Sequence, residues 1–232
     1  MSVTLLELRT QARQRSDMEQ STFVTDSELN SYINASVAEL HDILVQAYGE
    51  DYFIKTATFV TVPGTDSYSL LTSVPDNDLY KMRGVDAKLD TNDFYTLKRF
   101  NFNERNKFKH DGVWSYLGIT AVRYRLVGDN LIFTPKPDTA VTVKLWYIPK
   151  APKLVLDADT YNDINLYTEY VVVDAAIKML TKEESDASVF IAQKAELKKR
   201  ISEASSNRDA GEGDSIQDVY GENGDFAHGR SN

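Results

Sequence analysis

Helical periodicity marks both ends of this chain and strand alternation fills the stretch between them, an order that restricts the fold more than any other feature. Near the start, Thr4 and Glu7 have capping-box spacing ahead of Leu5, Leu6, Leu8 and Ala12, which predicts a short helix over 5–16. A second box, Thr25 with Glu28, opens a longer pattern of Leu29, Ile33, Val37, Leu40 and Leu44, with Tyr32, Ser36 and Tyr48 alongside; it predicts an amphipathic helix over 26–48 that stops near Gly49. At the other end, Asp163 is the expected N-cap before Ile164, Tyr167, Val171, Ala175 and Leu180. A last helix, capped by Ser185 or Asp186, is expected to bury Phe190, Leu197, Ile201 and Ala204 and to leave Lys194, Lys198, Lys199 and Arg200 mostly outside.

Between these helices the chain is rich in Thr, Val and aromatic residues. A strand is expected from Phe53 that stops at a turn at Pro63-Gly64, and further strands over 66–70, 79–89 and 93–100, separated by turn-forming clusters at 74–78 and 90–93; a helical turn and a long loop fit 101–112 equally well. Val122, Tyr124 and Leu126 alternate with Arg123 and Arg125 before Gly128-Asp129-Asn130, the signature of a β-hairpin. In the next strand Val141, Val143, Leu145 and Tyr147 face one way and Thr142, Lys144, Trp146 and Ile148 the other, until Pro149 ends it. Four amphipathic helix faces need burial, and the simplest arrangement packs the terminal pairs together. The expected fold is therefore α+β: a helical bundle built from N-terminal helices (1–49) and C-terminal helices (151–206), an inserted antiparallel β domain (50–150) and an extended C-terminal arm (207–232).

Composition removes several classes of chemistry. The chain of 232 residues has no cysteine, so it has no disulfide, thiolate metal ligand or thiol nucleophile. No apolar run is long enough to span a membrane and charges interrupt the N-terminal apolar stretch, so a soluble protein made in a cytoplasm is expected. The three histidines, His41, His110 and His228, have no metal-ligand spacing, and His41 reads as a partly buried or surface side chain. Asp157, Asp159 and Asp163 imitate a calcium loop but meet Asn162 at the sixth position and Thr168 at the twelfth. Gly211 and Gly213 lack the strand and helix of a dinucleotide fingerprint. Catalytic residues, metal and cofactor are all expected to be absent. The weak enzyme reading is a hydrolase using Asp157 with Asp163, or Asp86 with Asp90.

Charge points instead to contacts. The net charge is −9, of which −5 falls from residue 201 onward, whereas 98–125 carries +5 interleaved with aromatics. That basic stretch suits either a single-stranded nucleic-acid platform or a subunit or tail interface, and the acidic total favours an interface built on Arg99, Arg105, Lys107, Trp114 and Tyr116. In the arm, Ile216, Val219, Tyr220 and Phe226 are the sizeable apolar side chains and hence the expected anchors.

The segments FVTDSELNSYINASVAELHDIL, YRLVGDNLIFTPKPDTAVTVKLWYIP, YVVVDAAIKMLTKEESDASVFIAQKAELKKRISEA and NRDAGEGDSIQDVY together resemble the head–tail adaptor (connector) proteins of tailed bacteriophages. The resemblance implies a homo-oligomeric ring of matching twelvefold symmetry below the portal, in the neck of the virion. Such a ring extends the DNA channel without specific DNA binding and docks the tail or nozzle protein. It further implies that the arm, with Arg208, Asp209, Ile216, Val219, Tyr220 and Phe226, reaches onto the portal. Residues 86–120 carry none of the resemblance. A tail-tube or baseplate subunit is the alternative among structural proteins.

Overall fold

Thr4 is where the first strand becomes the first helix. The structure, a computed structural model, describes residues 2–49, 52–88, 93–106, 122–162 and 167–206. Strand β1 (Ser2–Thr4) runs into helix α1 (Leu5–Arg15). Thr4 Oγ1 accepts the Glu7 N–H at 3.2 Å and the Glu7 carboxylate accepts the Thr4 N–H at 2.8 Å, so the expected capping box is complete. Thr25 opens α2 (Asp26–Tyr48) by accepting the Glu28 N–H at 3.3 Å. The reciprocal half of that second box is not made. The Glu28 carboxylate turns instead to the Tyr32 hydroxyl at 2.8 Å and to Lys182 at 2.6 Å, which ties the helix to a distant one. Gly49, at φ +78°, ends α2 in a conformation that a side chain would strain.

Helix α3 is one short turn (Leu70–Ser73), and α4 (Thr168–Lys182) and α5 (Ser188–Ser206) complete the helices of the described residues. Leu29, Ile33, Val37 and Leu40 of α2, Leu5, Leu8 and Ala12 of α1, Tyr170, Val171 and Ala175 of α4, and Ile201 of α5 share one hydrophobic core. Helix α4 runs antiparallel to α2: Lys182 pairs with Glu28, Asp174 meets Ser36, and the Tyr167 hydroxyl lies 3.0 Å from that of Tyr48. Helices α1 and α5 each pack against both α2 and α4. The expected start of α4 at Asp163 lies outside the described residues; the described helix begins at Thr168, and the Tyr167 side chain at its cap, turned to Tyr48, makes no capping bond. Just before it, an unforeseen strand, β10 (Thr160–Asn162), pairs antiparallel with β1.

The remaining strands are β2 (Lys55–Val60), β3 (Ser67–Ser69), β4 (Leu79–Lys88), β5 (Tyr95–Thr96), β6 (Lys98–Arg99), β7 (Arg123–Val127), β8 (Asn130–Thr134) and β9 (Thr142–Pro149). They form two four-stranded sheets, β2-β9-β4-β5 and β3-β8-β7-β6, over a second core that includes Val85, Tyr124, Leu131, Phe133, Val143 and Leu145. The hairpin turns at Gly128, φ +58°, as its Gly-Asp-Asn signature requires.

Three strand expectations change. The strand expected from Phe53 to the turn at Pro63-Gly64 is shorter, Lys55–Val60, with the turn where expected, and 66–70 passes from β3 into α3. The segment 93–100 breaks at Leu97, whose side chain turns into the core and whose N–H donates to the Val85 carbonyl at 2.9 Å. One half, β5, joins β4, and the other, β6, crosses to the second sheet and pairs parallel with β7, the single parallel pairing among the described strands. Within 101–112 the chain makes a 3-10 turn at Phe102–Glu104. In β9, Val143, Leu145 and Tyr147 face the core as expected, but Ile148 is also fully buried, where the ladder with β4 shifts register between Leu79 and Lys81.

Candidate interaction surfaces

The described part of the basic stretch folds into a stack of guanidinium groups and rings. Phe102 sits on its 3-10 turn half exposed, with the Arg105 guanidinium 4.8 Å and the Arg125 guanidinium 5.6 Å from its ring centre. Arg125 donates to the Phe100 carbonyl at 3.0 Å, and Arg99 donates to the Met82 carbonyl at 3.3 Å and the Tyr124 hydroxyl at 3.2 Å. These bonds hold the arginines against the sheet edge while their charge stays at the surface. Two hollows flank Phe100. One, about 430 Å³, is lined by Phe102, Arg105, Lys136 and Asp66 among others, and the second by Arg99, Arg125 and Tyr80. The surface can therefore take a carboxylate on a guanidinium fork and an apolar side chain beside it.

Of the interface residues expected from sequence, Arg99 and Arg105 are brought to this edge, and Lys107, Trp114 and Tyr116 lie outside the described residues. The same holds for the arm residues Arg208, Asp209, Ile216, Val219, Tyr220 and Phe226. Arg125, Phe102 and Lys136 join the edge by folding: Phe102 and Arg125 are 23 positions apart, and only the β6–β7 pairing places them together.

A second arrangement went unforeseen. Asp174 is 3% exposed on the buried side of α4, yet it is charged. Its carboxylate accepts from Ser36 at 2.6 Å, Lys178 at 2.5 Å and Lys194 at 2.8 Å, and Lys194 also reaches Glu39, which accepts the Tyr170 hydroxyl at 2.7 Å. Burial alone would push the Asp174 carboxyl up, but the bonds from Lys178, Lys194 and Ser36 outweigh it and hold it below the usual carboxylate range. Burial works against the Lys194 charge too, and its bonds to Asp174 and Glu39 more than compensate, so its pKa is raised. Lys194 was expected to lie outside with Lys198, Lys199 and Arg200; it is instead drawn inward to this carboxylate, and those three are exposed. A carboxylate one turn from Val171 and beside Ala175, on an otherwise apolar face, is the signal in the sequence that could have revealed the cluster.

His41 sits where the two cores meet. It is 4% exposed, donates from Nε2 to the Pro149 carbonyl at 3.0 Å and packs 4.9 Å from the Phe53 ring. Burial pushes its pKa down, only partly offset by the Pro149 bond and nearby Asp42. This is a packed joint between α2 and the end of β9.

The described carboxylates considered for catalysis or for a calcium loop are each engaged by other groups of the chain. Asp157 pairs with Arg9 at 2.6 Å, and Asp159 accepts the N–H groups of Val155 and Leu156 in a turn. Asp86 accepts the Trp146 indole N–H; Asp90 and Asp163 lie outside the described residues. Among the described residues no group of three or more His, Cys, Asp or Glu could hold a metal ion, and no helix is long and apolar enough to cross a membrane.

No curated protein matches the chain. A family model described as SU10 adaptor protein matches residues 3–217, which takes in both cores, the basic edge and the first part of the acidic C-terminal segment. With more than nine-tenths of its length covered, the chain belongs to the SU10 adaptor protein family, a family of phage head–tail adaptors.

Proposed function

We propose that this protein is a structural subunit of the virion neck: copies form a ring under the portal, with matching twelvefold symmetry, that extends the DNA channel and docks the tail or nozzle protein. The observation that carries this reading is the length of the family match, which runs from the first helix through both cores. In this reading the two helix pairs form the bundle that builds the ring, and the β domain (50–150) hangs from it. DNA passes through the channel without specific binding, as suits a chain of net charge −9. The arm, 207–232, binds the portal, with Ile216, Val219, Tyr220 and Phe226 as anchors and Arg208, Asp209 and the other charges setting orientation. Ring repetition multiplies a weak single contact into a stable one. The basic edge at Arg99 and Arg105, continued by Lys107, Trp114 and Tyr116, meets an acidic surface of a neighbouring subunit or of the tail.

The test is a chain truncated after Glu203, expressed in place of the full chain during particle assembly. It is expected to fold and to be missing from purified particles. Particles carrying a normal number of truncated copies would refute the role of the arm. Full chain that stacks into tubes with no portal present would replace the adaptor reading with that of a tail-tube subunit.

A further inference from the structure

Between the two cores lies a cleft of about 680 Å³ whose walls include Phe53, Lys55, Asp78, Lys150, Lys153 and Tyr161. Its charge is one-sided. Lys55 pairs with Asp78 at 3.1 Å, but Lys150 reaches only the Asn77 carbonyl, at 2.9 Å, and Lys153 is exposed. Two ammonium groups thus face the cleft with no described carboxylate on either. The second oxygen of Asp78, Oδ1, is buried there without a hydrogen-bond partner, so an occupant offering an N–H or O–H would complete it.

We propose that, before assembly, this cleft holds the chain's own C-terminal segment, 209–226. That segment carries six carboxylates and no basic residue, and its apolar side chains Ile216, Val219, Tyr220 and Phe226 match the aromatic and proline wall at Phe53, Pro149, Pro152 and Tyr161. The direction of α5 brings it within reach. Lys194 lies at Asp174 and Arg200 stacks over Tyr167, so α5 leaves the bundle at the end where Tyr167 meets Tyr48, the end from which the chain leads on to Phe53. Ten extended residues after Ser206 span up to about 33 Å. Backbone N–H groups of an extended segment are the donors that Asp78 Oδ1 lacks. Being part of the same chain gives the segment a high local concentration over a cleft whose individual ion pairs are weak. The contact is accordingly one that a better-fitting surface can displace, and it keeps the apolar anchors covered until then. The adaptor reading enters only in naming the portal as that surface.

The experiment uses equal amounts of nitrogen-15-labelled and unlabelled full chain at low salt, joined by a carbodiimide that couples lysine to carboxylate in direct contact. Links from Lys150 or Lys153 to carboxylates of 209–226, each within one isotopic form, are expected. In parallel, the exposed pair K150E/K153E, with an unchanged thermal melt, should speed chymotryptic cleavage after Tyr220 by about fivefold or more, as should 0.5 M salt in the unaltered chain (roughly the effect of losing two exposed pairs). Absence of the links, links that mix the two isotopic forms, or cleavage indifferent to the reversal would each overturn the proposal; mixed forms would make a second copy the donor. None of these outcomes depends on a portal, so loading onto particles remains a separate measure of the adaptor reading.

Discussion

Replacing Asp174 by alanine removes the acceptor shared by three donors on three helices: Ser36 of α2, Lys178 of α4 and Lys194 of α5. Breaking a buried ion pair from one side costs about 3–5 kcal/mol because the partner charge is left uncompensated. Here the cost falls to that lower bound or somewhat below it. Lys178 and Lys194 retain 30% and 24% of their side-chain exposure and can rehydrate, and Lys194 keeps Glu39 at 2.9 Å. A loss of about 2–3 kcal/mol is expected in urea unfolding followed by a helix-core probe, with the denaturant slope unchanged. That corresponds to a drop of roughly 4–12 °C in Tm for a chain of this size. Asp174→Asn, which keeps shape but not charge, should recover part of it, and a cycle with Lys194→Met should show coupling above about 1 kcal/mol. The acid limb supplies an independent check. A carboxyl held below its unfolded value contributes stability that is complete above about pH 3.9 and lost as pH falls through the lower folded value. The unaltered protein should therefore lose this contribution in strong acid, and D174N should lack that part of the slope. A cost for D174A below about 0.5 kcal/mol, or the same acid slope in both proteins, would refute the view that the charge matters to the helix core.

His41 makes the joint between the cores sensitive to mild acid. Its pKa is pushed down by burial, so its contribution is complete above about pH 6.5 and declines as pH falls from there toward the folded value; a proton NMR titration of His41 with an ordinary midpoint would contradict this. Gly128→Ala should cost about 1 kcal/mol through strain at φ +58° alone, because a side-chain carbon there meets nothing within 4 Å, and Gly128→Asn should recover most of it in thermal melts.

What was legible in the sequence was local. Thr4 with Glu7 announces a helix start because both halves of the box lie within one turn, and Val143, Leu145 and Tyr147 announce a strand face because alternation needs no partner to be seen. What escaped depended on remote partners. Glu28 has the spacing of a cap, but Tyr32 and Lys182 compete for its carboxylate. The three-residue strand β10 exists only because β1 lies beside it, 158 positions earlier at Tyr161 and Val3. The break at Leu97 satisfies two sheets at once, a demand that no window on 93–100 contains. At the basic edge the sequence names the residue types, and only the parallel β6–β7 pairing shows which arginines share Phe102.

The helix core is assembled from opposite ends of the chain, and that has a consequence in time. Helices α1 and α2 leave the ribosome with only each other to cover Leu29, Ile33, Val37 and Leu40, since α4, which completes that core, ends at residue 182. At synthesis rates of about 5–20 residues per second, the wait is roughly 7–27 s. The strands between are complete at Pro149, 33 residues before α4 ends, and can begin to close their own core ahead of it. Folding is thus ordered by translation, with the sheets first and the helices last, and for those seconds the apolar face of α2 is a natural client for a chaperone.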